Sequence, residues 1–189
     1  MKTKNILLVG VGGQGIILAS KIISNTLVNA GYDVKMSEVH GMAQRGGAVT
    51  TQVRFGDKVY SPIIGKGEAD ILVAFEKMEA ERWLEYLKPD GVAVVNDFEV
   101  YSAPILSGKN TYPENIIEDL KERVNTIVVP AGEIAEKLGN IKAQNIVMTG
   151  SMVKHIGLEN LEWDKSLETF VKPKYLELNK KAFSEGLKV

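Results

Sequence analysis

Apolar positions along this chain fall into short unbroken runs that alternate with longer stretches of helical spacing. The first run, Ile6-Leu7-Leu8-Val9, closes at Gly10, and Ile16, Ile17, Ala19, Ile22, Ile23 and Leu27 then recur at helical intervals over residues 15–30. A run without a polar face is what a strand buried on both sides requires, whereas three-to-four spacing marks one buried stripe of a helix. Gly31 ends that helix, and Tyr32-Asp33-Val34-Lys35-Met36 resumes an extended pattern. The opening segment therefore predicts strand, glycine turn, helix, strand, with the two strands parallel.

Beyond Gly47 the period changes. Val49 to Phe55 alternates apolar and polar residues, Gly56-Asp57-Lys58 supplies a turn and Val59-Tyr60 resumes a strand, which predicts a β-hairpin at an edge of the sheet. Residues 70–75 read as a fully buried strand followed by a helix to about Leu87. Pro89-Asp90-Gly91 marks a turn and Val92–Asn96 another buried strand. A helix over 114–124, a strand at Thr126–Val129 and helices near 131–138, 143–156 and 173–185 complete the pattern. Ser102–Pro113, rich in Ser, Pro, Gly and Asn, is the one weak linker candidate, and no internal repeat is evident. Alternating strands and helices predict an α/β fold, a Rossmann-like three-layer sandwich with a mostly parallel sheet and an added β-hairpin. With 189 residues the chain suits a single domain over 1–189.

Composition changes this picture mainly by exclusion. A hydrophobic fraction of 44% and a charged fraction of 25% are ordinary for a soluble globular protein. Net charge is −1, from 23 basic and 24 acidic residues, so no overall field favours nucleic acid or an anionic membrane. Cysteine is absent, which removes disulfides, thiolate nucleophiles and cysteine-held zinc or iron-sulfur clusters from this chain. The apolar stretch after Met1–Asn5 is broken by glycines and a glutamine, too short for a signal peptide or a membrane span, so a cytoplasmic location is expected.

Candidate chemistry sits in two segments. Gly10, Gly12 and Gly15 satisfy GxGxxG, with Gly13 and Gln14 between them, at a strand-to-helix turn. Such a turn presents backbone N–H groups to an anion at a helix N-terminus; the alternative is a tight turn with close helix packing and no ligand. The second segment, Glu38-Val39-His40-Gly41-Met42-Ala43-Gln44-Arg45-Gly46-Gly47, leaves the carboxyl end of the second strand, where open α/β sheets bind ligands. Arg45 offers a planar fork for phosphate or carboxylate, and His40 a donor or proton shuttle. The bland alternative pairs Arg45 with Glu38 and leaves His40 on a backbone carbonyl. Glu38 also stands where a dinucleotide fold would place its ribose-binding acid, which keeps open a stand-alone NAD- or FAD-binding redox protein. Asn145, in the first turn of a late helix, either reaches the cleft or caps the helix. His155, Trp83 and Trp163 suit structural roles, and the amphipathic Pro173–Phe183 segment suits packing on the domain. No thiamine diphosphate signature, phosphate loop, metal triad or nucleophile with a base is present, so no catalytic residue is assigned and catalysis by this chain alone is not expected.

GVGGQGI near the N-terminus, SEVHGMAQRGG after the second strand, VRFGDKVYSPIIGKGEAD and the late AQNIVMTG together resemble the gamma-type domain of 2-oxoacid:ferredoxin oxidoreductases. His40-Gly41-Met42 makes the chain most similar to the indolepyruvate branch, as its beta subunit; a gamma subunit acting on pyruvate or 2-oxoglutarate is the alternative within the family. The resemblance implies oxidative decarboxylation of a 2-oxoacid with coenzyme A to acyl-CoA and carbon dioxide, two electrons passing to ferredoxin. It implies an alpha subunit carrying thiamine diphosphate, magnesium and iron-sulfur clusters, with no cofactor held tightly by this chain. By the same resemblance Gly10, Gly12, Gly13, Gln14 and Gly15, with Glu38, His40, Gln44, Arg45, Gly46 and Gly47, help form an active-site cleft at the subunit interface. Loop N–H groups and Arg45 would hold coenzyme A phosphate or the substrate carboxylate.

Overall fold

The computed structural model describes residues 2–40 and 47–189, with the side chain of His40 outside that description. Its strands are β1 (Lys4–Val11), β2 (Asp33–His40), β3 (Ala48–Gly56), β4 (Ala69–Ala74), β5 (Leu87–Asn96) and β6 (Asn125–Val129). They form one sheet in the order β2-β3-β1-β4-β5-β6. Strands β1, β4, β5 and β6 are mutually parallel, while β3 runs antiparallel to both of its neighbours.

Because successive strand residues point to opposite faces, the unbroken apolar run of β1 feeds two cores at once. Ile6 and Leu8 pack with α1 (Ile16–Asn29), α5 (Ala131–Lys137), α6 (Gln144–Ile156), α7 (Trp163–Phe170) and α8 (Leu176–Gly186). Leu7 and Val9 pack on the other face with α2 (Lys77–Trp83) and α4 (Ile116–Arg123). Ile22, Ile23 and Leu27 of α1 are fully buried, each contributing about 1.5–3 kcal/mol of apolar transfer. The helix stops where Gly31 adopts φ 89°, with Tyr32 N–H donating to Leu27 O and Gly31 N–H to Val28 O, a Schellman ending.

Several expectations are revised. The β1 and β2 strands do run in the same direction, but β3 lies between them, so they are not hydrogen-bonded neighbours. The antiparallel addition to the sheet is the β2–β3 pair, and β3 is an interior strand, not the first arm of an edge hairpin over 49–60. Its alternation misleads because its polar face is also covered: Thr50 and Gln52 are buried as well as Val53 and Phe55. Val59-Tyr60 forms no strand. Side chains anchor that segment instead, with Val59 N–H donating to Asp33 Oδ2 (2.9 Å), Ile64 N–H to Gln52 Oε1 (2.6 Å) and Arg54 Nη1 to Ile63 O (2.7 Å). Pro89-Asp90-Gly91 sits inside β5 as an irregularity in its pairing with β4. Ser102–Pro113 carries the short helix α3 (Ala103–Leu106), and α7 has no counterpart in the sequence-based expectation.

Candidate functional site at the carboxyl edge of the sheet

The carboxyl ends of β1, β4, β5 and β6 share one edge, and the glycine loop leaves it from β1. Three of its glycines answer different needs. A Cβ on Gly10 would lie 2.6 Å from Gln14 Oε1 and 2.9 Å from Phe75 Cβ, so close packing dictates it. Gly13 faces open space but has φ 103°, and Gly15 combines φ 82° with a would-be Cβ 2.5 Å from Asn145 Nδ2. Gly12 N–H donates to Gly47 O at 2.8 Å. That bond ties the first chemistry-bearing segment to the end of the second.

Carboxamides hold the loop from beneath. Gln14 Oε1 accepts from Val11 N–H and its Nε2 donates to Phe75 O, both at 2.7 Å. Asn96, fully buried at the end of β5, donates through Nδ2 to Phe75 O (3.2 Å) and to Gln144 Oε1 (3.0 Å), and its Oδ1 accepts from Ala131 N–H (3.2 Å). Asn145 Nδ2 donates to Gly15 O at 3.2 Å. One network thus joins the exits of β1, β4 and β5 to the first turns of α1, α5 and α6. A rigid strand-exit network is what positions a loop for close backbone approach to a ligand.

Of the residues expected to line a site, Gly10, Gly12, Gly13, Gln14, Gly15, Gly47 and Asn145 converge here. Gln14 and Asn145 spend hydrogen bonds on the protein backbone. Glu38 points from β2 toward α1, where its Oε1 accepts from Ser20 Oγ at 3.3 Å. With β3 inserted, β2 stands two strand spacings, about 9–10 Å, from β1. A ribose-binding acid in a dinucleotide fold comes from the strand adjacent to the glycine loop, so this placement does not reproduce an NAD site. Gln44, Arg45 and Gly46 lie outside the described residues, as does the His40 side chain.

Sequence reasoning missed Asn96, Gln144 and the acidic pair that follows β4. Glu76 is buried at the N-cap of α2, where Oε2 accepts from Glu79 N–H at 2.9 Å while Oε1 accepts from the Tyr112 hydroxyl and from Val100 N–H. Burial and this bond to Glu76 push the Tyr112 phenol well above its usual range. Burial likewise pushes the Glu79 carboxyl up, against the pull of Arg82 2.8 Å away. The available signal was a polar residue directly after an apolar run: Glu76 follows Ile71–Phe75, and Asn96 follows Val92–Val95.

Chemically, the edge offers backbone amides at the first turn of α1 and a rigid carboxamide support, which suits binding an anion more than proton or group transfer. Among the described residues no group of three or more His, Asp or Glu side chains could hold a metal ion. With no cysteine in the sequence, an iron-sulfur cluster has no thiolate ligands here. Among the described residues no helix is long and apolar enough to cross a membrane.

Comparison with known proteins agrees with this architecture. The indolepyruvate oxidoreductase subunit IorB of Pyrococcus horikoshii is 37% identical, over 100% of this chain and 96% of that one. The gamma subunit of a keto/oxoacid ferredoxin oxidoreductase from Geobacter sulfurreducens superposes with a TM-score of 0.76 at 25% identity, covering 100% of this chain and 96% of its own. The 2-oxoglutarate:ferredoxin oxidoreductase of Magnetococcus marinus contains the same fold (TM-score 0.75, 23% identity) as 31% of a longer chain that covers 100% of this one. The family model described as pyruvate ferredoxin/flavodoxin oxidoreductase matches residues 5–189, and the chain belongs to that family.

Proposed function

We propose that this chain, an oxidoreductase subunit of that family, is the accessory beta subunit of a cytoplasmic, ferredoxin-dependent indolepyruvate or arylpyruvate oxidoreductase. The holoenzyme converts the 2-oxoacid and coenzyme A to acyl-CoA and carbon dioxide, releasing two electrons to ferredoxin. Thiamine diphosphate, magnesium and iron-sulfur clusters reside on the alpha subunit; the cysteine-free sequence supports that division. This chain supplies one wall of the cleft, where the glycine loop and the segment 38–47 hold coenzyme A phosphate or the substrate carboxylate.

The observation that carries the reading is the Gly12 N–H bond to Gly47 O, because it brings both motifs to a single edge of the sheet. The purified chain is expected to be colourless, to retain neither nicotinamide nor flavin, and to be inactive until mixed with its alpha subunit. Reconstitution, assayed with aryl and aliphatic 2-oxoacids and a viologen acceptor, tests this directly. Aryl substrates should give the higher kcat/KM. Stoichiometric NAD or FAD in the isolated chain, or 2-oxoacid oxidation without an alpha subunit, would overturn it.

A further inference from the structure

A cavity opens in the helical layer beside the glycine loop. Helices α6 and α8 both begin at it, each after a single 3-10 turn (Ile141–Ala143 and Pro173–Tyr175), while α1 and α7 bound it through Leu18 and Phe170. Its volume is about 490 Å³, within the range of about 300–1,000 Å³ usual for small-molecule sites. Leu18, Phe170, Val171, Tyr175 and Leu178 supply apolar walls. Two buried carboxamides, Asn145 at 4% exposure and Asn179 at 8%, also line it. Asn145 Nδ2 donates to Gly15 O (3.2 Å) and Asn179 Nδ2 to Tyr175 O (2.8 Å). A carbonyl can only accept, so each amide is fixed with its nitrogen on the backbone side. Neither Oδ1 has a hydrogen-bond partner among the described residues. Lys142 and Lys172 line the cavity too, exposed and in no ion pair with a described residue, and no acidic side chain is among its described lining.

We propose that this cavity binds a flat aromatic carboxylate that carries a ring N–H. Such a site lies outside the function proposed above and stands independently of it. Two unpaired ammonium groups and the amino ends of α6 and α8 make the cavity positive, which favours a carboxylate. The Phe170 and Tyr175 rings, with the aliphatic side chains beside them, favour a planar apolar body. A carboxamide oxygen on a buried side chain is costly to leave unpaired, and a ring N–H directed at Asn179 Oδ1 removes that cost. Inorganic phosphate satisfies the charge but brings no apolar surface to the walls. An organic cation satisfies the walls and the acceptor but faces both lysines. Asn145 belongs to the cavity and the loop at once, its Nδ2 2.5 Å from where a Cβ on Gly15 would lie, so a ligand held here is one side chain away from the loop.

Isothermal titration of the full chain with indoleacetate, beside naphthaleneacetate, acetate and inorganic phosphate, tests the site. Indoleacetate should bind with one equivalent per chain and about fivefold or more tighter than naphthaleneacetate, which keeps a fused aromatic body but lacks the N–H. Acetate and phosphate, without that body, should bind at least about tenfold more weakly. Lys142→Glu and Lys172→Glu should each weaken indoleacetate binding about tenfold. Lys109→Glu, in the Ser102–Pro113 segment and also exposed, should stay within about twofold. Asn179→Leu should erase the preference for the ring N–H, and the same preference measured on the parent decides the point if that variant folds poorly. Absence of indoleacetate binding, or affinity no better than that of acetate or phosphate, would overturn the site. An equal loss in Lys109→Glu would reduce it to general charge attraction and overturn it too, as would equal affinity for the two aryl acids. None of these measurements involves an alpha subunit, so each failure leaves the proposed function standing.

Discussion

Replacing Gln14 by Met should loosen the glycine loop by an amount that can be worked from its contacts. Methionine keeps the side-chain length and fills the space beneath Gly10, but it neither accepts from Val11 N–H nor donates to Phe75 O. The Val11 amide loses its 2.7 Å partner in a buried setting, which costs about 1–3 kcal/mol. Phe75 O retains Asn96 Nδ2 at 3.2 Å, so its loss is about 0.5–1.5 kcal/mol. Together these predict destabilisation of about 1.5–4.5 kcal/mol, which for a chain of this size lowers the melting temperature by about 3–18 °C. Gln14→Ala should cost less, because truncation opens room for a water to replace the lost partner. Urea denaturation followed by circular dichroism gives the difference, and in the reconstituted enzyme KM for coenzyme A should rise for both variants. Stability of Gln14→Met within about 0.5 kcal/mol of the parent, a surface-like effect, would refute the view that this side chain holds the loop.

Two further outcomes follow from packing and titration. Helices α6 and α8 meet glycine on glycine, since a Cβ on Gly150 would lie 2.3 Å from Phe183 O and one on Gly186 2.1 Å from Val147 O. Alanine gains about 1 kcal/mol of helix propensity, but backbone cannot yield as a rotamer does, and overpacking of about 1–3 kcal/mol or more outweighs it. Gly150→Ala should therefore melt below the parent, and an equal or higher melting temperature would refute this contact. Glu79 has its folded pKa raised by burial, so its contribution favours folding below the unfolded value and is lost as pH rises through the folded one. Glu79→Gln should raise the melting temperature of the isolated chain at pH 7 relative to the parent, with the gap closing toward pH 4. A gap that widens toward acid would reverse the sign and refute the burial argument.

The sequence alone determined the local elements that carry the site. The run Ile6–Val9, the glycine turn and the spaced apolar positions of α1 fall where expected because strand burial, turn geometry and helical period are local properties. Family membership was legible for a similar reason, since motif order survives in sequence. Tertiary structure decided what the neighbours would be. Only the fold inserts β3 between β1 and β2, because strand order depends on which faces find cover, and an alternating strand with buried Thr50 and Gln52 reads locally like an edge. That insertion moves Glu38 away from the glycine loop. Likewise, nothing in the spacing of Gln14, Phe75, Asn96 and Gln144 announces a network, since its bonds span up to 61 residues along the chain and exist only once three strands share an edge. Long-range hydrogen bonds are properties of the assembled chain, and on these rests the rigidity of the candidate site.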